Sequence, residues 1–268
     1  MTTQRVLRAS ATLWVVGLVF LAATADLLPL AAPDRIDLSA RGQPPTMSHP
    51  LGTDGLGRDL LSRTIHGTRV ALWVGLAGPL IGLLSGGLLG ILAGYFGGRL
   101  DRAARIAIDT LLAVPAIAIA MLFTTWFQGA LGGVILALGL LACPFYARVA
   151  RSESRTISQR AFIDAAHATG AGPAATLWRH VLPNVAPTLR DVFLLLAAVL
   201  VLLEGSLSYL GLSVRPPTPT WGGMIAHGRA MLDHQPHVAL VPMAALVVTV
   251  MSLNVLGHAG DRARNISH

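Results

Sequence analysis

The chain has 268 residues, 53% hydrophobic and 12% charged, with a mean hydropathy of +0.63; this excludes an ordinary water-soluble domain and points to a polytopic membrane protein. All twenty basic residues behind its net charge of +7 are arginine, so the phosphate-cradling loop GxxxxGK[ST], which needs a lysine, is excluded and any ATP must be hydrolysed by another subunit. The arginines are dispersed between apolar stretches instead of gathered in one patch, which argues against a nucleic-acid partner.

A hydrocarbon core about 30 Å thick requires roughly twenty apolar residues at the helical rise. Six stretches qualify, at about 9–30, 70–96, 106–127, 130–147, 187–212 and 237–258. The expected fold is therefore all-α with six transmembrane helices. It divides into an N-terminal tail with the first span (1–30), a first outer loop (31–69), a five-helix core (70–258) that contains a polar loop at 148–186, and a tail (259–268).

The first stretch follows Arg5 and Arg8 and ends near Ala23-Thr24-Ala25. It reads as a span or as a cleavable signal peptide, whose removal would leave five spans in the same orientation. In the second, Gly78, Gly82, Gly86, Gly90 and Gly94 recur every fourth residue, a ladder that lets a neighbouring backbone come close. Pro79 and, in the third stretch, Pro115 are expected to distort their helices. Asp109 follows Arg105 at i+4, which suggests a local ion pair. Cys143, the single cysteine, sits in the apolar fourth stretch and cannot form an internal disulfide.

Between spans four and five the chain turns polar for a length that no turn inside a membrane could have. Ser158 is the expected N-cap of a short helix that runs to Thr169 and is stopped by Gly170; Pro173 opens a second that runs to Pro183. Two short helices joined by a glycine hinge result, tied directly to two spans. In span five, Glu204 is an ionisable group at membrane depth, read either as lining a solute route with Ser208 or as a structural hydrogen bond to a neighbouring helix helped by Ser206 and Ser208.

Next comes Pro216-Pro217-Thr218-Pro219-Thr220-Trp221, a stiff outer edge on which a ligand-delivering protein could land, or a plain connection. His227, His234 and His237 raise a metal reading, but Pro236 interrupts regular helical spacing and no cysteine or carboxylate cluster completes a ligand set. No metal site and no catalytic residues are expected, since neither GxSxG nor HExxH occurs. With both termini in the cytoplasm, thirteen arginines fall inside and seven outside, which is the positive-inside arrangement. The inner group includes Arg262 and Arg264 of the tail, and the polar loop lies on the same side.

In that loop Asp164-Ala165-Ala166, then Gly170, then Leu182-Pro183-Asn184 resembles the signature of inner-membrane permeases of binding-protein-dependent ABC importers, with aspartate where glutamate is usual. Other segments narrow the resemblance to the C-type permease subunit of the dipeptide, oligopeptide and nickel branch: His49-Pro50-Leu51-Gly52-Thr53-Asp54 with Leu56-Gly57-Arg58-Asp59; Gly94-Tyr95-Phe96-Gly97-Gly98 with Asp101, Asp109 and Pro115; Glu204 with Leu207-Ser208-Tyr209-Leu210-Gly211-Leu212; Trp221-Gly222-Gly223-Met224; and Asn254-Val255-Leu256-Gly257. His258 stands where aspartate usually follows.

The resemblance implies that the loop is a coupling helix which docks on an ATPase through Phe162, Asp164, Ala165, Ala166, Gly170, Leu182 and Pro183. It implies contacts with a solute-binding protein at His49, Asp54, Arg58, Asp59 and Trp221, and a second homologous permease, two ATP-binding subunits, an extracytoplasmic binding protein and membrane lipid as partners. No cofactor would bind this chain; ATP and magnesium would be used by the ATPases. The setting implied is a bacterial plasma membrane and the cargo a di- or oligopeptide, with nickel or another small solute as the alternative. A stand-alone secondary transporter or channel is the reading from another class, and it would have no use for a docking helix.

Overall fold

A computed structural model describes residues 2–258, so the tail at 259–268 with Arg262 and Arg264 lies outside the described residues. The helices are α1 Thr2–Thr24, α2 Leu60–Gly82, α3 Leu88–Phe96, α4 Gly98–Ala113, α5 Ala116–Trp126, α6 Leu131–Ser158, α7 Ala161–Ala168, α8 Pro173–Thr176, α9 Leu182–Tyr209, α10 Trp221–Gly228 and α11 His237–Gly257. No strand forms among the described residues beyond one isolated bridge between Thr53 and Asp59. Five helical stretches are long and apolar enough to cross a membrane, and α4 with α5 makes a sixth if the pair counts as one span. The protein is all-α and polytopic.

The second span starts at Leu60, ten residues before the apolar stretch, because the Asp59 carboxylate accepts the Ser62 amide at 2.7 Å and caps the helix. Hydropathy could not find this turn, since Ser62, Arg63, Thr64 and His66 lie in it. From Leu60 the helix runs to Phe96, passing through a π turn at Leu83–Gly87 just after Pro79. Its glycine ladder meets α6 backbone to backbone: a methyl group at Gly86, Gly90 or Gly94 would overlap the carbonyl of Cys143, Ala147 or Arg151 in turn. Ser154 of α6 closes the far end by donating to the Ile91 carbonyl at 2.9 Å. Spans two and four are thus one closely mated pair; the spacing predicts the close approach, and the fold supplies the partner.

The third span departs from the expected single helix over 106–127. Helices α4 and α5 meet at Val114 and Pro115 with a bend of 81°. Pro115 lacks the N–H that would bond back into α4 and disfavours helical geometry for Val114, which is extended at ψ 127°. Helix α1 leans on α11 and α2; Trp14 donates to Thr249 Oγ1 at 3.1 Å, and Arg69 grips the Ala22 carbonyl at 2.8 Å and both Asp26 oxygens. The main apolar core lies between α2, α3, α6 and α9, and it extends to one residue of α7, Ile163.

Candidate functional site

Helix α7 opens after Arg160, whose side chain makes no cap. Ser158 is instead the last residue of α6, its hydroxyl turned back to the Ser154 carbonyl at 2.6 Å, so the expected N-cap is corrected. The reason is that α6 continues eleven residues past the apolar stretch as a polar helix, from Arg148 to Ser158. At its other end α7 closes in a Schellman motif. The Ala171 amide donates to the Ala166 carbonyl and the Gly170 amide to the His167 carbonyl, both at 3.0 Å. Gly170 has φ +86°, which an L side chain resists although a β-carbon there would meet nothing within 4 Å. The glycine of the signature is a conformational requirement.

On so short a helix the faces separate cleanly. Ile163 is buried, while Phe162, Asp164 and Ala165 are exposed and Ala166 is half-buried. Asp164 pairs with no described residue. The helix is nonetheless well seated. Ile163 joins the core cluster with Ile157 and Val181, against which Tyr95 and Leu177 pack. Tyr95 Oη lies 3.3 Å from His167 Nε2, and the Phe162 and His180 rings are 6.2 Å apart.

The second expected helix does not stop at Pro183. From Pro173 the chain runs through a π turn at Leu177–Val181 straight into α9, and the whole forms one 37-residue stretch to Tyr209. Pro183 has no N–H for the Arg179 carbonyl, and the wider π turn accommodates that loss without ending the helix. Leu182 is half-buried on the core and Pro183 is exposed; Asn184 Nδ2 donates to the His180 carbonyl at 2.6 Å. In place of a hinge between two short helices, the structure has one short helix held between long extensions of two spans.

Beside this seat α4 is tied to α6. The Arg151 guanidinium bonds both oxygens of the buried Asp101, and Arg105 reaches Asp101 at 3.1 Å. Arg105 is therefore taken by Asp101, and Asp109 pairs across to Arg148 of α6 at 3.0 Å, which corrects the expected Arg105–Asp109 pair. Tyr95, His167, Asp101 and Arg151 escape sequence reading as a group because their partners lie 50 to 72 positions away. Their signal in the sequence is limited to Tyr95 within Gly94-Tyr95-Phe96-Gly97-Gly98 and Asp101 three residues after it.

At the opposite end, Glu204 is 2% exposed and accepts from Ser213 at 2.9 Å, while Ser208 bonds Thr220, the N-cap of α10. Ser206 bonds its own helix at Leu202, so the support expected from Ser206 is supplied by Ser213. Trp221 is buried, its indole N–H donating to the Thr64 carbonyl of α2 at 3.0 Å. In the first loop Asp54 accepts the Leu56 and Arg58 amides and the Arg58 side chain at 2.7 Å, with Arg63 Nε 3.6 Å away. His49 Nδ1 lies 3.0 Å from Asp59.

Asp54, Arg58 and Asp59 are buried, so they shape the loop from within and only His49 is half open. His237 Nε2 touches the Gln43 carbonyl at 3.2 Å and His227 Nδ1 the Gly223 carbonyl at 2.6 Å. Among the described residues no three of His, Cys, Asp and Glu gather as a metal ligand set.

The family model for the binding-protein-dependent transport system inner membrane component matches residues 86–263. The glutathione transport system permease protein GsiD of Pectobacterium atrosepticum is 34% identical over 249 residues, covering 92% of this chain and 83% of that protein. GsiD of Shigella dysenteriae serotype 1 is 34% identical over 92% of this chain and 82% of its own length. Among solved structures, a chain from the inward facing conformations of the MetNI methionine ABC transporter superposes with a TM-score of 0.60 at 20% identity, over 77% of this chain and 96% of that one, a likeness of fold.

Proposed function

The chain belongs to the family of binding-protein-dependent transport system inner membrane components and is a permease subunit of an ABC importer; on that premise we propose that it moves a peptide-like solute across a bacterial plasma membrane by alternating access. The relatives named for glutathione transport support a short peptide as cargo. ATP-binding and solute-binding partners follow from the family; a second permease and two ATPases complete the assembly in this reading. ATP and magnesium act in the ATPases, and this chain is non-catalytic, in keeping with its lack of lysine.

One observation carries the reading. Asp164 and Phe162 stand exposed on a helix whose other face is fixed to the transmembrane core. An ATPase closing against that face shifts a two-state bundle only through contacts that differ between the states, and a seated helix supplies them. Both termini and α7 are placed in the cytoplasm, in line with the arginine distribution.

The test is reconstitution of the complete transporter with radiolabelled glutathione as probe. Asp164→Arg and Gly170→Pro are expected to leave the spans inserted yet abolish ATP-driven uptake; wild-type uptake in both overturns the docking role. Glu204 and Ser208 are the proposed route-side pair, held by Ser213 and Thr220. A Glu204→Gln chain that keeps its yield but loses uptake supports solute contact, whereas lost yield assigns the residue to holding the loop.

A further inference from the structure

The polar loop is joined to the bundle by its two ends, but the structure adds a third attachment that the chain path does not require. Tyr95 lies in the last turn of α3, half-buried against the core, and its hydroxyl lies 3.3 Å from His167 Nε2 on α7. One turn of helix before His167, Ile163 is sunk into the same cluster, 2% exposed. On the side of span five, Phe162 meets His180. Helix α7 is therefore braced by side chains from spans two and five as well as by the α6 extension.

This matters because of what lies behind Tyr95. Gly90 and Gly94 precede it, and their close contacts with Ala147 and Arg151 join α3 to α6 without side chains that could yield. Ser154 adds a bond to Ile91, and Arg151 holds Asp101 on the adjoining α4. A load that reaches Tyr95 thus enters a part of the bundle built from backbone contact, where packing transmits displacement instead of absorbing it.

We propose that Tyr95 and His167 are positioning residues that fix the angle of α7 on the end of span two, so that α7 and the glycine-mated pair of spans two and four move as one body. The proposal rests on the docking role of α7. It adds a specific point of entry for the force, at span two, which is remote from α7 in sequence.

The test is a distance measurement that needs no solute. In the complete transporter with Cys143→Ala, nitroxide labels are placed at Leu88 on the exposed face of α3 and at Ala168 at the end of α7, and read by pulsed electron resonance. The interlabel distance is expected to be narrow and the same in nucleotide-free and ATP–vanadate-trapped complexes. Tyr95→Phe, which removes only the hydroxyl, and His167→Ala are each expected to broaden it, with no further broadening in the double variant. His167→Gln, which keeps an acceptor for the hydroxyl, is expected to restore the narrow distribution.

Stimulation of ATP hydrolysis by the solute-binding protein should fall about two- to fivefold in Tyr95→Phe, the shift expected of a two-state equilibrium when one hydrogen bond is lost. A wild-type distance that changes between the two states overturns the proposal, as does an unchanged distribution in the double variant. Co-purification of the ATPases with wild type, and their loss with Asp164→Arg, tests the docking role separately. The two ideas can therefore fail independently.

Discussion

The chain carries two polar, motif-bearing segments outside its spans, and they use their charged residues in opposite ways. In the loop before α2, Asp54 and Asp59 are turned inward to amides, to Arg58 and to the first turn of the helix. In α7, Asp164 points outward and no described residue answers it. The residue types are alike and the sequence signatures equally sharp. A conspicuous charge in a motif therefore marks either a fastening or a contact, and burial with local donors tells which.

Substitutions can sharpen or break this contrast. Asp54→Ala should have the largest effect on stability, because it leaves Arg58 and Arg63 buried without their carboxylate; removing one partner of a buried pair costs about 3–5 kcal/mol. Lower yield and a lower unfolding temperature in detergent would register it, and near-normal stability would mean the loop is not fastened through this residue. Gly170→Ala should cost roughly 1–2 kcal/mol, the penalty for a β-carbon in the left-handed region. That cost is local to the end of α7, so weaker retention of the ATPases should accompany a nearly unchanged melt. Asp164→Ala should change stability by less than about 0.5 kcal/mol, as exposed unpaired residues do, and still lose ATPase-coupled uptake. A large fall in melting temperature for Asp164→Ala would erase the distinction between the two segments.

The sequence carries the spans well wherever apolarity coincides with helix. The glycine ladder is the clearest success: a period of four at Gly78 to Gly94 states both which face mates and how closely. Hydropathy is blind where helices continue in polar sequence, as at 60–69 and 148–158, and so it ends spans short of where the structure does; at 173–183 the helix is legible from Pro173, but its continuity with span five is not. Hydropathy is also blind to direction, so the apolar stretch over 106–127 gives no hint that Pro115 turns it by 81°.

Ser158 shows a third limit. A serine hydroxyl satisfies an N-cap or its own i−4 carbonyl equally well, and the choice depends on where the preceding helix ends. Within the set that the resemblance names, the glycine stop is legible in the local sequence, but which residues face outward is not: Phe162 and Ile163 are adjacent apolar residues, and only the fold exposes the first and buries the second. Nor is their seat legible, because Tyr95, His180 and Val181 come from elements whose mutual placement only the folded bundle defines.

The π turn at Leu177–Val181 has a consequence for how the two halves of this stretch are phased. It amounts to one residue inserted into an otherwise regular helix, and each residue advances the azimuth by about 100°. Deleting a single residue there would restore ordinary pairing while swinging Pro173–Thr176 and the chain leading back to Gly170 around the helix axis. The extra residue therefore works as an angular offset, setting where on the bundle's circumference span five presents its near end to α7.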